Sequence, residues 1–201
     1  MTNIPPQLLA MLTLTLLYAA PCRAADVMRP IESEVIAAFL NSELGADAKV
    51  KKLVVRDFTA TISDMDLSDD NPAQELKKGF PNASDAVIAD FLLANKSSAE
   101  LRLSEKLLKP YVRLELVDKA RIDTIFEAKP FDKNWTRFYK EFPTSNGVMQ
   151  FSRVGYDATR KQALLYMQNG CGSRCGAGVL VLMQSRLGIW RRIKGVNVWV
   201  S

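Results

Sequence analysis

The sequence predicts an α+β protein: a C-terminal four-stranded antiparallel meander packed against helices, with a smaller N-terminal helix and strand portion. Three observations carry this expectation. Apolar residues at helical spacing dominate before Pro143, four strand-like runs with short glycine-bearing links follow it, and two of those runs are apolar on both faces and so need cover on both sides.

Residues 8–20 (LLAMLTLTLLYAA) are too few to cross a bilayer as a mature helix and too apolar for a water-facing surface, so residues 1–24 read as a signal peptide. Cys22 and Ala24 put small residues at minus three and minus one of a cleavage point after Ala24, although no Lys or Arg precedes the apolar run. An uncleaved leader and a lipid anchor on Cys22 are the alternatives. The expected setting is the periplasm or the exterior of the cell. Residues 25–201 make one mature domain, with 25–130 and 131–201 as its two lobes if it divides. Loss of Arg23 with the leader takes the net charge from +5 to +4, which is ordinary solubility and points to no nucleic-acid partner.

Taken in order, Ile31, Val35, Ile36, Phe39, Leu40 and Leu44 recur at helical spacing, with Gly45 placed to end the helix. Residues 52–61 (KLVVRDFTAT) are rich in β-branched side chains and predict a strand. The acidic segment 63–72 predicts a loop, from which Pro72 opens a short helix towards Lys78. Ser84 caps a helix carrying Val87, Ile88, Phe91 and Leu92 that ends near Asn95. Alternation in 111–117 (YVRLELV) predicts a strand, and 120–128 a helix. Asp132 is placed to cap a further helix whose Trp135, Phe138, Tyr139 and Phe142 form an aromatic stripe expected in the core.

The four runs after Pro143 are 148–155, 161–168, 178–185 and 189–200. In the last, Arg191, Arg192 and Lys194 suit a charged edge strand, and Gly195 suggests a bulge.

Chemistry has few candidates. The chain has no histidine, which removes Ser-His-Asp, Cys-His and zincin sites. No phosphate loop, dinucleotide fingerprint or haem-attachment pattern occurs, so no cofactor is implied. Cys171 and Cys175, in NGCGSRCGAG between the two most hydrophobic runs, suit a disulfide that pins a hairpin; Arg174 between them leaves thiol-disulfide exchange as the rival. Arg153 can bind a carboxylate or phosphate beside Tyr156 and Asp157, or equally form a buried ion pair between sheet and helix. Asp64, Asp66, Ser68, Asp70 and Glu75 stand at calcium-loop spacing, but Asp69 occupies the position that needs glycine and Pro72 the ninth, so a solvated acidic loop is the competing account.

The ordered string Trp135-x-x-Phe138-Tyr139, Pro143-x-x-x-Gly147, Phe151-Ser152-Arg153-Val154-Gly155-Tyr156, Gln162-Ala163-Leu164, Cys171-Gly172-x-x-Cys175-Gly176-x-Gly178, Gly188-x-Trp190 and Trp199-Val200-Ser201 resembles the C-terminal core of a group of uncharacterised bacterial exported proteins. The resemblance covers roughly residues 135–201 and implies export and a sheet-based module, with no catalytic role attached. The expectation is therefore a non-catalytic exported binding or envelope-associated protein with an envelope ligand, a protein partner or a second copy of itself. The alternatives are a hydrolase built on carboxylates and Arg153, and a redox protein using Cys171 and Cys175.

Overall fold

The computed structural model describes residues 29–44, 52–67 and 70–201; the leader, Cys22, Gly45 and Ser68 lie outside the described residues. Within them the chain forms α1 (Pro30–Glu43), β1 (Lys52–Arg56), α2 (Pro72–Gly79), α3 (Asp85–Ala94), β2 (Arg113–Val117), α4 (Lys119–Phe126), α5 (Asn134–Glu141), β3 (Ser145–Phe151), β4 (Gly155–Tyr156), β5 (Gln162–Gly172), β6 (Cys175–Arg186) and β7 (Ile189–Val200). This is a mixed α/β chain in which most strands follow most helices. The helix starts obey local chemistry. Pro72 opens α2 while Asn71 Oδ1 accepts from Gln74 N at 3.0 Å, Ser84 Oγ accepts from Val87 N at 3.2 Å, and Asp118 Oδ1 accepts from Arg121 N at 2.8 Å.

All seven strands join one sheet in the order β2-β1-β3-β5-β6-β7, with β4 paired to β5 beside β3. β1 runs parallel to both β2 and β3, and the remaining pairings are antiparallel. The strands predicted at 52–61 and 111–117 thus extend the same sheet as the C-terminal runs. The run 148–155 is not one strand. It breaks at Ser152–Val154 into β3 and β4: Ser152 N still donates to Tyr166 O at 2.9 Å, but the Arg153 backbone and the Val154 N–H turn to side-chain partners. Two further corrections are local. In β7 the register slips at Ile193 and Val198, while Gly195 stays paired with Val181. α5 starts at Asn134 after a 3-10 turn (Phe131–Lys133) that takes up Asp132, so Asp132 is not its cap.

The sheet is the middle of three layers. On one face Leu53, Val55, Phe151, Leu165, Val181 and Met183 pack against Val35, Ile36, Phe39 and Leu40 of α1. On the other, Leu164, Leu180 and Leu182 meet Leu76 and Phe80 of α2 and Val87, Ile88 and Phe91 of α3. A separate cluster on that second face joins Val54 and Val148 to Ile122 and Ile125 of α4 and Phe138 and Phe142 of α5. β5 and β6 read as apolar on both faces for this reason. Of the aromatic stripe of α5, Phe138 and Phe142 are fully buried, with ring centroids 5.0 Å apart, while Trp135 and Tyr139 are half-buried against the same cluster.

The break at Ser152–Val154 ties these layers together. Glu32 of α1, 0 % exposed, accepts from Arg153 Nη2 (3.0 Å) and Nε (3.3 Å), from Val154 N (3.1 Å), and from Arg29 Nε (2.7 Å) and N (3.2 Å). Asn95, at the end of α3, accepts from Arg153 N at 2.8 Å and donates to Arg153 O at 3.0 Å. Gly155 then passes so close to α3 that a Cβ there would lie 2.4 Å from backbone atoms of Phe91. Burial pushes the Glu32 carboxyl up, but the hydrogen bonds from Arg153, Arg29 and the Val154 N–H outweigh it and hold the group below the usual carboxylate range.

Because its folded value is lowered, Glu32 stabilises the fold fully above the unfolded glutamate value of about 4.3, and this contribution is lost as pH falls through the folded value. Glu32→Gln leaves Arg153 buried without its counter-charge and is expected to lower unfolding free energy by about 3–5 kcal/mol. Urea unfolding of both proteins between pH 7 and pH 3 checks this: the variant should lose less stability than the wild type below pH 4.3.

Candidate functional site

The two clusters on the second face do not meet. Between them a polar stripe crosses the sheet: Arg56 at the end of β1, Gln150 of β3, its cross-strand partner Gln168 of β5 and Tyr166 two residues before share this face by strand periodicity, and the register slip at Val198 brings Trp199 of β7 to it. They form a continuous hydrogen-bonded chain. Arg56 Nη1 donates to Gln150 Oε1 at 3.2 Å, and Gln168 Nε2 donates to the same oxygen at 2.7 Å. The Tyr166 hydroxyl lies 3.1 Å from both Gln168 Oε1 and the Asp64 carbonyl, and Trp199 Nε1 donates to that hydroxyl at 2.8 Å. Gly178 makes room for the last contact, since a Cβ there would lie 2.2 Å from Trp199 Nε1 and 2.6 Å from the Tyr166 oxygen. Each amide orientation is set by its neighbour, so the stripe is fixed from end to end.

Above the stripe lies a cleft of about 360 Å³. Arg56, Gln150, Gln168 and Gly170 line it from the sheet, Asp123, Phe126 and Glu127 from α4 and its end, Trp135 from α5 and Trp199 from β7. Trp135 is steadied by edge contacts with Phe126 at 4.9 Å and Phe138 at 5.4 Å. Among the described residues Arg56 has no carboxylate within 4.0 Å; its guanidinium lies 5.7 Å from the Phe58 ring. Burial draws its pKa down, and the more distant charges of Asp64 and Asp123 offset part of that. A guanidinium stays charged in proteins, so the effect to note is a desolvated cation whose compensation is incomplete.

Comparison of the chain with models of protein families, with curated proteins and with solved structures finds no match in any of the three.

The residues singled out from sequence lie elsewhere. Arg153 pairs with Glu32, as described. The ring of Tyr156 lies near Trp190 (6.1 Å) and the Arg29 guanidinium (5.0 Å); its buried hydroxyl has no hydrogen-bond partner among the described residues, and burial, then the charge of Glu32, pushes its pKa up. Asp157 closes the turn into β5, accepting from Lys161 N (2.7 Å), Gln162 N (3.0 Å) and Thr159 Oγ1 (2.7 Å). Arg153 and Tyr156 thus meet through Arg29 and Glu32, whereas Asp157 is taken up by its own turn.

Of the calcium-spaced set, Asp64 Oδ2 accepts from Thr61 N (2.7 Å) and Oγ1 (2.9 Å), Asp66 has φ 49°, and Glu75 lies in the first turn of α2, while Ser68 is outside the described residues. Among the described residues no three His, Cys, Asp or Glu side chains come together as a metal site.

Cys171 and Cys175 form a disulfide across the β5–β6 turn, with Cα atoms 5.0 Å apart. This staple sits at the cleft rim. Gly170 lines the cleft against the Trp135 ring, and the Tyr139 hydroxyl donates to the Cys171 carbonyl at 2.8 Å. Arg56, Gln150, Gln168 and Trp199 did not stand out from sequence. Their one signal was polarity in the wrong place: Gln150 and Gln168 interrupt otherwise apolar strand runs on one face.

A loop this short constrains little unfolded-chain entropy. The double variant Cys171→Ser with Cys175→Ser should lose about 2 kcal/mol in denaturant unfolding. A loss under about 0.5 kcal/mol would show that the covalent bond adds almost nothing to the hairpin.

Proposed function

We propose that the chain is an exported, non-catalytic binding protein whose ligand is a small organic carboxylate with an apolar or aromatic body, seated in the cleft over the polar stripe. The observation that carries this reading is Arg56: a half-buried guanidinium bordering an aromatic-lined cleft, with one hydrogen bond to Gln150 and no carboxylate of the chain within 4.0 Å among the described residues. A carboxylate matches the Arg fork by two parallel hydrogen bonds and supplies the direct ion pair that Arg56 lacks among the described residues, whereas a phosphate dianion would bring more charge than one guanidinium balances. Trp135, Phe126 and Trp199 supply apolar contact for the ligand body. Trp199 Nε1 is engaged by Tyr166, so this indole's role is packing.

Two features support export. The leader-like residues 1–24 supply the address, and a disulfide between the two cysteines downstream of it suits an oxidising compartment. Among the described residues no helix is long and apolar enough to cross a membrane.

Trp135 and Trp199 in the cleft give an optical readout. Titration with a panel of aromatic and aliphatic monocarboxylates is expected to give saturable fluorescence quenching by at least one aromatic member. Arg56→Met should weaken that binding by about tenfold to a hundredfold, the worth of a charge-assisted hydrogen bond. Absence of saturable binding across the panel, or equal affinity in the variant, would overturn the proposal.

A further inference from the structure

The wall of the cleft facing the sheet carries the opposite charge. Asp123 and Glu127 stand one helical turn apart at the end of α4, and both line the cleft. Asp123 is already held by Lys119 at 2.5 Å, whereas among the described residues Glu127 has no cation within 4.0 Å. The site therefore offers a half-buried cation from β1, only partly offset by Asp64 and Asp123, and an exposed carboxylate from the end of α4 without a direct ion pair among the described residues, on two sides of one cavity. The amides between them cannot serve an incoming cation well. Gln150 Oε1 already accepts two hydrogen bonds and Gln168 Oε1 faces the Tyr166 hydroxyl, which leaves the α4 carboxylates as the strong acceptors.

Resting on the carboxylate reading of Arg56, we propose that the ligand is a zwitterion: a free amino acid with an aromatic or large apolar side chain. Its carboxylate pairs with Arg56, its ammonium with Glu127, and its side chain packs among Trp135, Phe126 and Trp199. A plain carboxylate engages Arg56 alone and leaves Glu127 to solvent; a zwitterion is complementary to both charged walls. The volume of about 360 Å³ lies at the small end of ligand sites, which suits a single amino acid better than a longer peptide.

Three probes that share one carbon skeleton separate the possibilities: phenylalanine, 3-phenylpropionate and 2-phenylethylamine, each titrated into the mature protein and its variants by calorimetry. Phenylalanine is expected to bind about tenfold or more tightly than 3-phenylpropionate, as charge-assisted contacts typically contribute. Glu127→Gln should erase that margin, while Arg56→Met weakens both ligands. If 3-phenylpropionate binds as tightly as phenylalanine, or if Glu127→Gln preserves the margin, the zwitterion proposal fails and the carboxylate site stands. If neither acid binds, or only the amine does, both readings fall together.

Discussion

Three residues that leave the sheet, Ser152–Val154, hold the architecture together. A break in a buried ladder strands backbone donors and acceptors, each of which costs about 1–3 kcal/mol if left unmet. Here Ser152 N still donates to the Tyr166 carbonyl at 2.9 Å, and the backbone groups of Arg153 and Val154 are met by side chains. Ser152 Oγ accepts from Tyr166 N at 2.8 Å and donates to Arg153 O at 2.7 Å, Asn95 takes both polar groups of the Arg153 backbone, and Glu32 takes the Val154 N–H while Arg29 Nη2 reaches the Val154 carbonyl at 2.8 Å. Because Glu32 belongs to α1 and Asn95 to α3, which lie on opposite faces, the same short segment fixes both helical layers to one point of the sheet. The buried charge pair between Glu32 and Arg153 is then a device for position, since hydrophobic groups of the same volume would pack there without specifying which backbone atoms must meet.

Satisfying the second face in this way has a consequence at its other end. α3 is drawn towards β4 and β5, and α4 with α5 covers β1 and β3, so the two helical groups stand apart over Gln150 and Gln168. An apolar floor beneath such a gap would expose a hydrophobic strip. The chain instead lays down amides, an Arg and a Tyr hydroxyl whose partners are mutually defined, and 3 % exposed Gln150 is their centre. A polar network of this kind is rigid before any ligand arrives, the property that makes a site selective.

What was legible in the sequence follows from how local each determinant is. Pro72, Ser84 and the two-faced apolar runs in β5 and β6 act through neighbours or through simple burial, and their elements formed where the pattern put them. The spacing of Cys171 and Cys175 was equally local. Partnering across the chain was not. Arg153 could serve a ligand or an ion pair until α1 placed Glu32 beside it, 121 residues away. β1 sits between β2 and β3 in parallel, a pairing set by crossovers that no periodicity encodes. Gln150 and Gln168 meet only because β3 and β5 adopt the register that places them opposite each other. In β7 the tolerance of Gly195 for a bulge was a permission, and the register slips fell instead at Ile193 and Val198.

The disulfide joins these two lines of reasoning. By loop entropy alone a bond spanning four positions is a minor stabiliser, so its value lies in what it keeps in place. Gly170, immediately before Cys171, gives the cleft its floor beneath Trp135, and Trp135 in turn rests on Phe126 and Phe138. A β5–β6 turn free to fray would release the Cys171 carbonyl from Tyr139 and loosen the wall that Trp135 supplies. A covalent staple at that spot narrows the motion of the rim without burying surface or adding charge, leaving the guanidinium and amides of the stripe unaltered. The same staple suits a setting in which thiols are oxidised, which ties the geometry of the cleft rim to redox conditions.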